Sequence, residues 1–189
     1  MNRIEMKQET MKKITNSITE LITTSGYENI KVRDICKNAN ISIGTFYNYY
    51  TSKDDILVNA MNQSSNQTLE IIKPQLNSDS AIENLLHYVK LQTQLIHTFP
   101  IAVQTEVFRM FLYGKGDFIL DRESVNYAVI YEIIKAGKNS KEIQSSLDIE
   151  ELTYLVLKII TANCYHWCMT KGAFDIDTVM IKEISAILT

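Results

Sequence analysis

The chain has 189 residues, 46% hydrophobic and 22% charged, which is the balance of a folded protein with a sizeable core and excludes general disorder. Only 6 Gly and 2 Pro interrupt it, too few for the turns of a strand-rich protein, so the composition points to an all-α fold. The net charge of −3 excludes a polycation, yet residues 1–53 hold 8 Lys+Arg against 5 Asp+Glu and residues 54–189 hold 11 against 17, a mildly basic head on an acidic body.

Ile14, Ile18, Leu21 and Ile22 recur at helical spacing, predicting an amphipathic helix from about Glu5 to Ser25 that Gly26 ends. Lys31 to Asn38 reads as a short second helix, with Asn40 able to take the left-handed turn after it. Ser42 caps a third helix that ends near the aromatic cluster Phe46, Tyr47, Tyr49 and Tyr50. Thr51 or Ser52 caps a fourth, carrying Ile56, Leu57, Ala60 and Met61 inward; uncharged Asn62 to Thr68 reads as its exposed middle, and Pro74 bends or ends it. Further helices follow. One is capped by Ser78 or Asp79 and stopped by Pro100, one runs to Tyr113 before the break at Gly114-Lys-Gly116, and one covers Asp121 to Ala136, closed by Gly137. After a polar connector come a long apolar helix from Asp148 to Lys171 and a last one from Asp175 to Leu188, about nine helices in all. No apolar run approaches the ~18 residues of a membrane span. Cys36, Cys164 and Cys168 form no paired framework and no apolar leader precedes Met1-Asn2-Arg3, so free thiols and a cytoplasmic location are expected.

The sharpest signal is Val32 to Tyr47: short helix, tight turn, second helix. In a helix-turn-helix the first helix braces while the second brings its early residues to base edges in the major groove. Ile43, Gly44, Thr45 and Asn48 occupy the exposed first turns of that second helix and are the expected base readers. Tyr47, Tyr49 and Lys53 would donate to phosphates on the flank. One helix face cannot bury all of Phe46, Tyr47, Tyr49 and Tyr50, and Phe46 and Tyr50 are the expected core pair.

Residues Ile14 to Met61 resemble the DNA-binding domain of the TetR family of bacterial transcriptional regulators. The resemblance is carried by Ile14, Ile18 and Gly26-Tyr27, by Val32-x-x-Ile35-Cys36, by Ile41-Ser42-Ile43-Gly44-Thr45-Phe46-Tyr47, and by Tyr50-x-Ser52-Lys53-x-x-Ile56. Asn40, Cys36 and Tyr50 stand where the family usually has glycine, alanine and phenylalanine. Val32 stands where many members place a phosphate-binding threonine, which leaves Lys31 or Arg33, with the N-capping Ser42, as candidate DNA contacts. The resemblance implies a head of residues 1–53 that binds DNA and a body of residues 54–189 that binds a ligand and dimerises.

Two groups in the body bear on that implication. Leu152, Leu155, Val156, Ile159, Ile160 and Asn163 line one helix, and Ile176, Val179, Met180 and Ile184 line the last. The resemblance makes these a dimer interface; the same stripes could instead face the subunit's own core. His87, Phe108, Phe111, Tyr127, Tyr131, His166 and Trp167 interrupt otherwise apolar helices, and in the family such residues line an effector cavity, here expected to take a small apolar or aromatic molecule. Cys164 and Cys168 share a helix face from which His166 points away, so no metal site is expected, and no cofactor motif is present. The expected function is a homodimeric regulator, most simply a repressor released from a palindromic operator by an effector. A fold-mate that does not read DNA, or a small all-α enzyme, is the alternative; salt-dependent binding to a palindrome separates them.

Overall fold

The structure is a computed structural model that describes residues 2–112 and 121–189, with the backbone alone for residues 61–69. Among the described residues there are nine α-helices and no strand: α1 Arg3–Ser25, α2 Val32–Asn38, α3 Ile43–Tyr47, α4 Lys53–Gln67, α5 Ala81–His97, α6 Ile101–Leu112, α7 Val125–Asn139, α8 Ile149–Met169 and α9 Ile176–Ile187. A 3-10 turn at Tyr27–Asn29 joins α1 to α2. The expected helix end at Tyr113, the break at Gly114-Lys-Gly116 and the side chains of Met61 and Asn62 to Thr68 lie outside the described residues.

The chain forms two compact units, residues 1–63 with 99–115 and residues 64–98 with 116–189. The first unit is thus larger than the head of residues 1–53, because α4 and α6 pack into it. Ile14, Ile18 and Ile22 of α1, Ile35 and Cys36 of α2, Phe46 and Tyr50 around α3, Ile56 and Leu57 of α4, and Val103, Val107 and Met110 of α6 share one buried core. Buried Ser17 donates its hydroxyl to the Ile35 carbonyl at 3.0 Å, pinning α1 to α2 without an unsatisfied polar group.

In the second unit α7 packs on α5 and α8, and α9 closes against α5 and α8. Leu85, Tyr88, Val89, Ile130, Ile134, Leu152, Val156, Leu157, Ile176, Met180 and Ile184 are buried there. Three details differ from the sequence reading. Ser80 rather than Ser78 or Asp79 caps α5, its hydroxyl accepting from the Glu83 amide. Gly137 does not close α7 but lies buried inside it, because the connector returns so closely that a Cβ would sit 2.5 Å from Ile143 Cδ1. Helix α8, expected as a long apolar helix, leaves Lys158, Tyr165, His166 and Met169 exposed.

Candidate nucleic-acid interface

The turn between α2 and α3 is held by its own short-range chemistry. Asn40 takes the left-handed conformation with φ 53°. The Ile41 amide then donates back to the Cys36 carbonyl at 2.9 Å, ending α2 and aiming the chain into α3. Ser42 caps α3 by accepting from the Thr45 amide at 2.9 Å, and its hydroxyl lies 2.8 Å from that of Thr45. Phe46, fully buried, anchors the helix and meets Tyr50 at 6.1 Å between centroids.

With Phe46 inside, the opposite face of α3 looks outward. Ile43 is 52% exposed and Tyr47 57% exposed, and Gly44 and Asn48 are open to solvent beside them. Thr45 and Tyr49 are half-buried. Lys31 and Arg33 are exposed at the start of α2, Arg33 lying 3.7 Å from Asp34. The structure therefore brings Ile43, Gly44, Tyr47 and Asn48 onto one outward surface, with Lys31 and Arg33 on the preceding helix.

Lys53 has a task that the sequence did not signal. Its ammonium donates to the carbonyls of Tyr27 at 2.7 Å and Ile30 at 3.0 Å, and lies 4.1 Å from the Tyr27 ring centroid. Two of its three donors thus bind the turn between α1 and α2. The Tyr27 hydroxyl donates to Asp54. Burial first, and then the Asp54 carboxylate, push the Tyr27 phenol well above its ordinary range, so it stays a neutral donor. From α6, Arg109 pairs with Glu106 at 2.7 Å and reaches Glu28 at 2.9 Å, its guanidinium 5.4 Å from the same ring. Sequence distance hid this clamp: its members lie on three separate elements.

The body residues divide between the two units. Phe108 and Phe111 belong to the first, as an edge-to-face pair 5.8 Å apart. In the second, buried Tyr127 stacks on Tyr131 at 5.8 Å and leans on Tyr154 at 5.3 Å. Trp167 is buried with its ring 5.3 Å from His97, whereas His87 and His166 are exposed, His166 lying 4.9 Å from Phe174. A polar trio the sequence reading missed joins α5 to α7: Tyr88 donates to Asn126 Oδ1 at 2.6 Å and accepts from Gln92 at 2.9 Å. Of the expected dimer residues, Leu152, Val156, Asn163, Ile176, Met180 and Ile184 are buried within the subunit, and Leu155, Ile159, Ile160 and Val179 remain partly open. Buried Asn163 donates to Glu183 at 2.6 Å and to the Ile159 carbonyl at 3.0 Å. Burial raises the Cys164 thiol to about 12, and no group of three or more His, Cys, Asp or Glu among the described residues could hold a metal. Nor is any described helix long and apolar enough to cross a membrane.

Comparison with known proteins bears on the same residues. The family model described as bacterial regulatory proteins, tetR family, matches residues 14–60. A fatty acid metabolism regulator protein of Bacillus subtilis is 27% identical over 180 residues, covering 90% of this chain and 91% of that protein. The transcriptional repressor KstR2 of Rhodococcus jostii is 23% identical over 172 residues, covering 89% and 84%. The fold is similar to that of the regulator FadR from Bacillus subtilis in complex with stearoyl-CoA, with TM-score 0.76 and 23% identity over 94% of this chain and 97% of that one. It is also similar to Thermus thermophilus FadR in complex with lauroyl-CoA, at TM-score 0.69, 19% identity and coverages of 94% and 93%. The matched segment is the one whose outward face has just been described, and over it the chain is similar to the bacterial regulatory proteins of the tetR family, a likeness that the two full-length relatives extend to the rest of the chain.

Proposed function

We propose that the protein is a homodimeric, cytoplasmic repressor that holds a palindromic operator and releases it when a fatty acyl-CoA binds the body. The observation that carries the DNA half is the open face of α3, where Ile43, Gly44, Tyr47 and Asn48 point outward while Phe46 and Tyr50 point in. Functionally the division falls near residue 53, with residues 1–53 reading DNA and residues 54–189 sensing and dimerising. Ile43, Gly44 and Asn48 face base edges, Thr45 and Ser42 chiefly shape the start of α3, and Lys31, Arg33, Tyr47, Tyr49 and the remaining donor of Lys53 face phosphates. The dimer forms through the partly open Leu155, Ile159, Ile160 and Val179, supported from beneath by the buried members of the same stripes.

The effector class is supported by the two FadR structures, whose ligands are stearoyl-CoA and lauroyl-CoA, and by the whole-length similarity to a fatty acid metabolism regulator. An acyl chain meets the expectation of an apolar effector held in the second unit, among the helices that carry Tyr127, Tyr131 and Trp167, with His87 and His166 as further candidates. Operator selection from genomic fragments, followed by fluorescence anisotropy on the selected duplex, tests both halves. Affinity should fall steeply with salt, and stearoyl-CoA should lower it by about 5- to 150-fold, the span of typical allosteric coupling. Coenzyme A alone should leave it unchanged; equal release by coenzyme A, or none by any acyl-CoA, overturns the effector assignment.

A further inference from the structure

The start of α3 carries two features that the fold does not need. Ile43 leaves 52% of an aliphatic side chain in water on the first residue of the helix. Gly44 has no positive φ to accommodate, and a Cβ placed there would meet nothing closer than Ser42 Oγ at 3.7 Å. Glycine inside a helix costs about 1 kcal/mol relative to alanine, so neither residue is explained by packing within the chain. Both are explained by something that comes close from outside.

The polar atoms nearby narrow what that something meets. The Thr45 hydroxyl lies 2.8 Å from that of Ser42, and Thr45 is half-buried. The side chain that stands exposed on the first residue of α3, beside this hydroxyl pair, is therefore a hydrocarbon. In the major groove adenine, guanine and cytosine edges show hydrogen-bonding atoms, and thymine adds the one apolar group, its C5 methyl. An isoleucine pressed against N7, O6 or N4 would strip water from a polar atom and return no hydrogen bond; against the thymine methyl both surfaces leave water together. From this geometry we infer that Ile43 reads a thymine methyl in each operator half-site, and that Gly44 is the clearance that lets the helix come near enough to do so. The inference rests on the DNA-reading role of α3 and adds the base that its first residue selects.

The test uses the full-length protein and the duplex obtained by selection. Each thymine is replaced in turn by deoxyuridine, which removes only the methyl group. One position per half-site should lose about fourfold in affinity, the worth of one buried methyl-sized group. In Ile43→Ala, which changes an exposed side chain and should leave the fold intact, that penalty should vanish while those at other thymines persist. Placing 5-methylcytosine at the same position should bind better than cytosine in the parent protein and equally in Ile43→Ala. Gly44→Ala should keep or raise thermal stability while weakening operator binding at least tenfold. Uridine penalties that are identical in parent and Ile43→Ala, or Gly44→Ala binding unchanged, overturn the inference while leaving DNA reading by α3 in place. Failure to select any duplex overturns the wider reading as well.

Discussion

The turn into α3 in the first unit and the start of α5 in the second are held in different ways. In the first unit the turn into α3 is built from neighbours in sequence: Ser42 caps the amide three residues on, and Asn40 turns the chain by its own backbone conformation. In the second unit the end of α5 is held from far away. The Glu142 carboxylate in the connector accepts from the Ala81 amide at 2.7 Å, the Ile82 amide at 3.2 Å and the Ser80 hydroxyl. Local chemistry thus shapes the turn into α3, whereas a carboxylate distant in sequence completes the start of α5. A face assembled from adjacent residues can keep its shape while contacts made at a distance change.

The largest test of that independence is Phe46→Ala, which empties the anchor of α3. It should cost about 3–5 kcal/mol in the first unit and abolish operator binding. The chain has one tryptophan, Trp167, and it belongs to the second unit. Its thermal fluorescence transition should stay near that of the parent; an equal shift would show the units unfolding as one. Next comes Lys53→Met, expected to remove about 2 kcal/mol of support from the turn at Tyr27 through two charge-assisted hydrogen bonds. A loss seen in thermal stability marks the clamp, whereas a salt slope flattened by about one with stability unchanged marks Lys53 as chiefly a phosphate contact.

In the body, Gly137→Ala should be destabilising by about 1 kcal/mol net, since crowding against Ile143 outweighs the helix-propensity gain. This is the reverse of the sign expected at Gly44, and calorimetry of the two variants compares them directly. The smallest effect concerns Glu142. Hydrogen bonds from Ser80, Ala81 and Ile82 hold its carboxyl below the usual carboxylate range. A folded value below the unfolded one contributes stability above the unfolded value, near 4.3. That contribution fades as pH falls through the folded value. Glu142→Gln should therefore lower the melting temperature slightly at pH 7 and remove part of its decline between about pH 5 and pH 3, as read by circular dichroism.

The sequence by itself determined the all-α class, the helix-turn-helix, the cap at Ser42, the left-handed Asn40 and the burial of Phe46 and Tyr50. Each of these follows from residues within a few positions of one another, where backbone preference and helical period act directly. It determined less in the body, where Gly137 read as a helix end and proved to be a point of close approach by a chain segment that only the folded molecule brings near. Which faces of α8 and α9 are buried was decided by tertiary packing, since a helix apolar over more than half its circumference does not say which side meets its own core. The clamp of Tyr27 by Lys53, Asp54 and Arg109 was likewise invisible in one dimension, because ion pairs and cation–ring contacts carry no periodicity and depend on where separate helices come to rest.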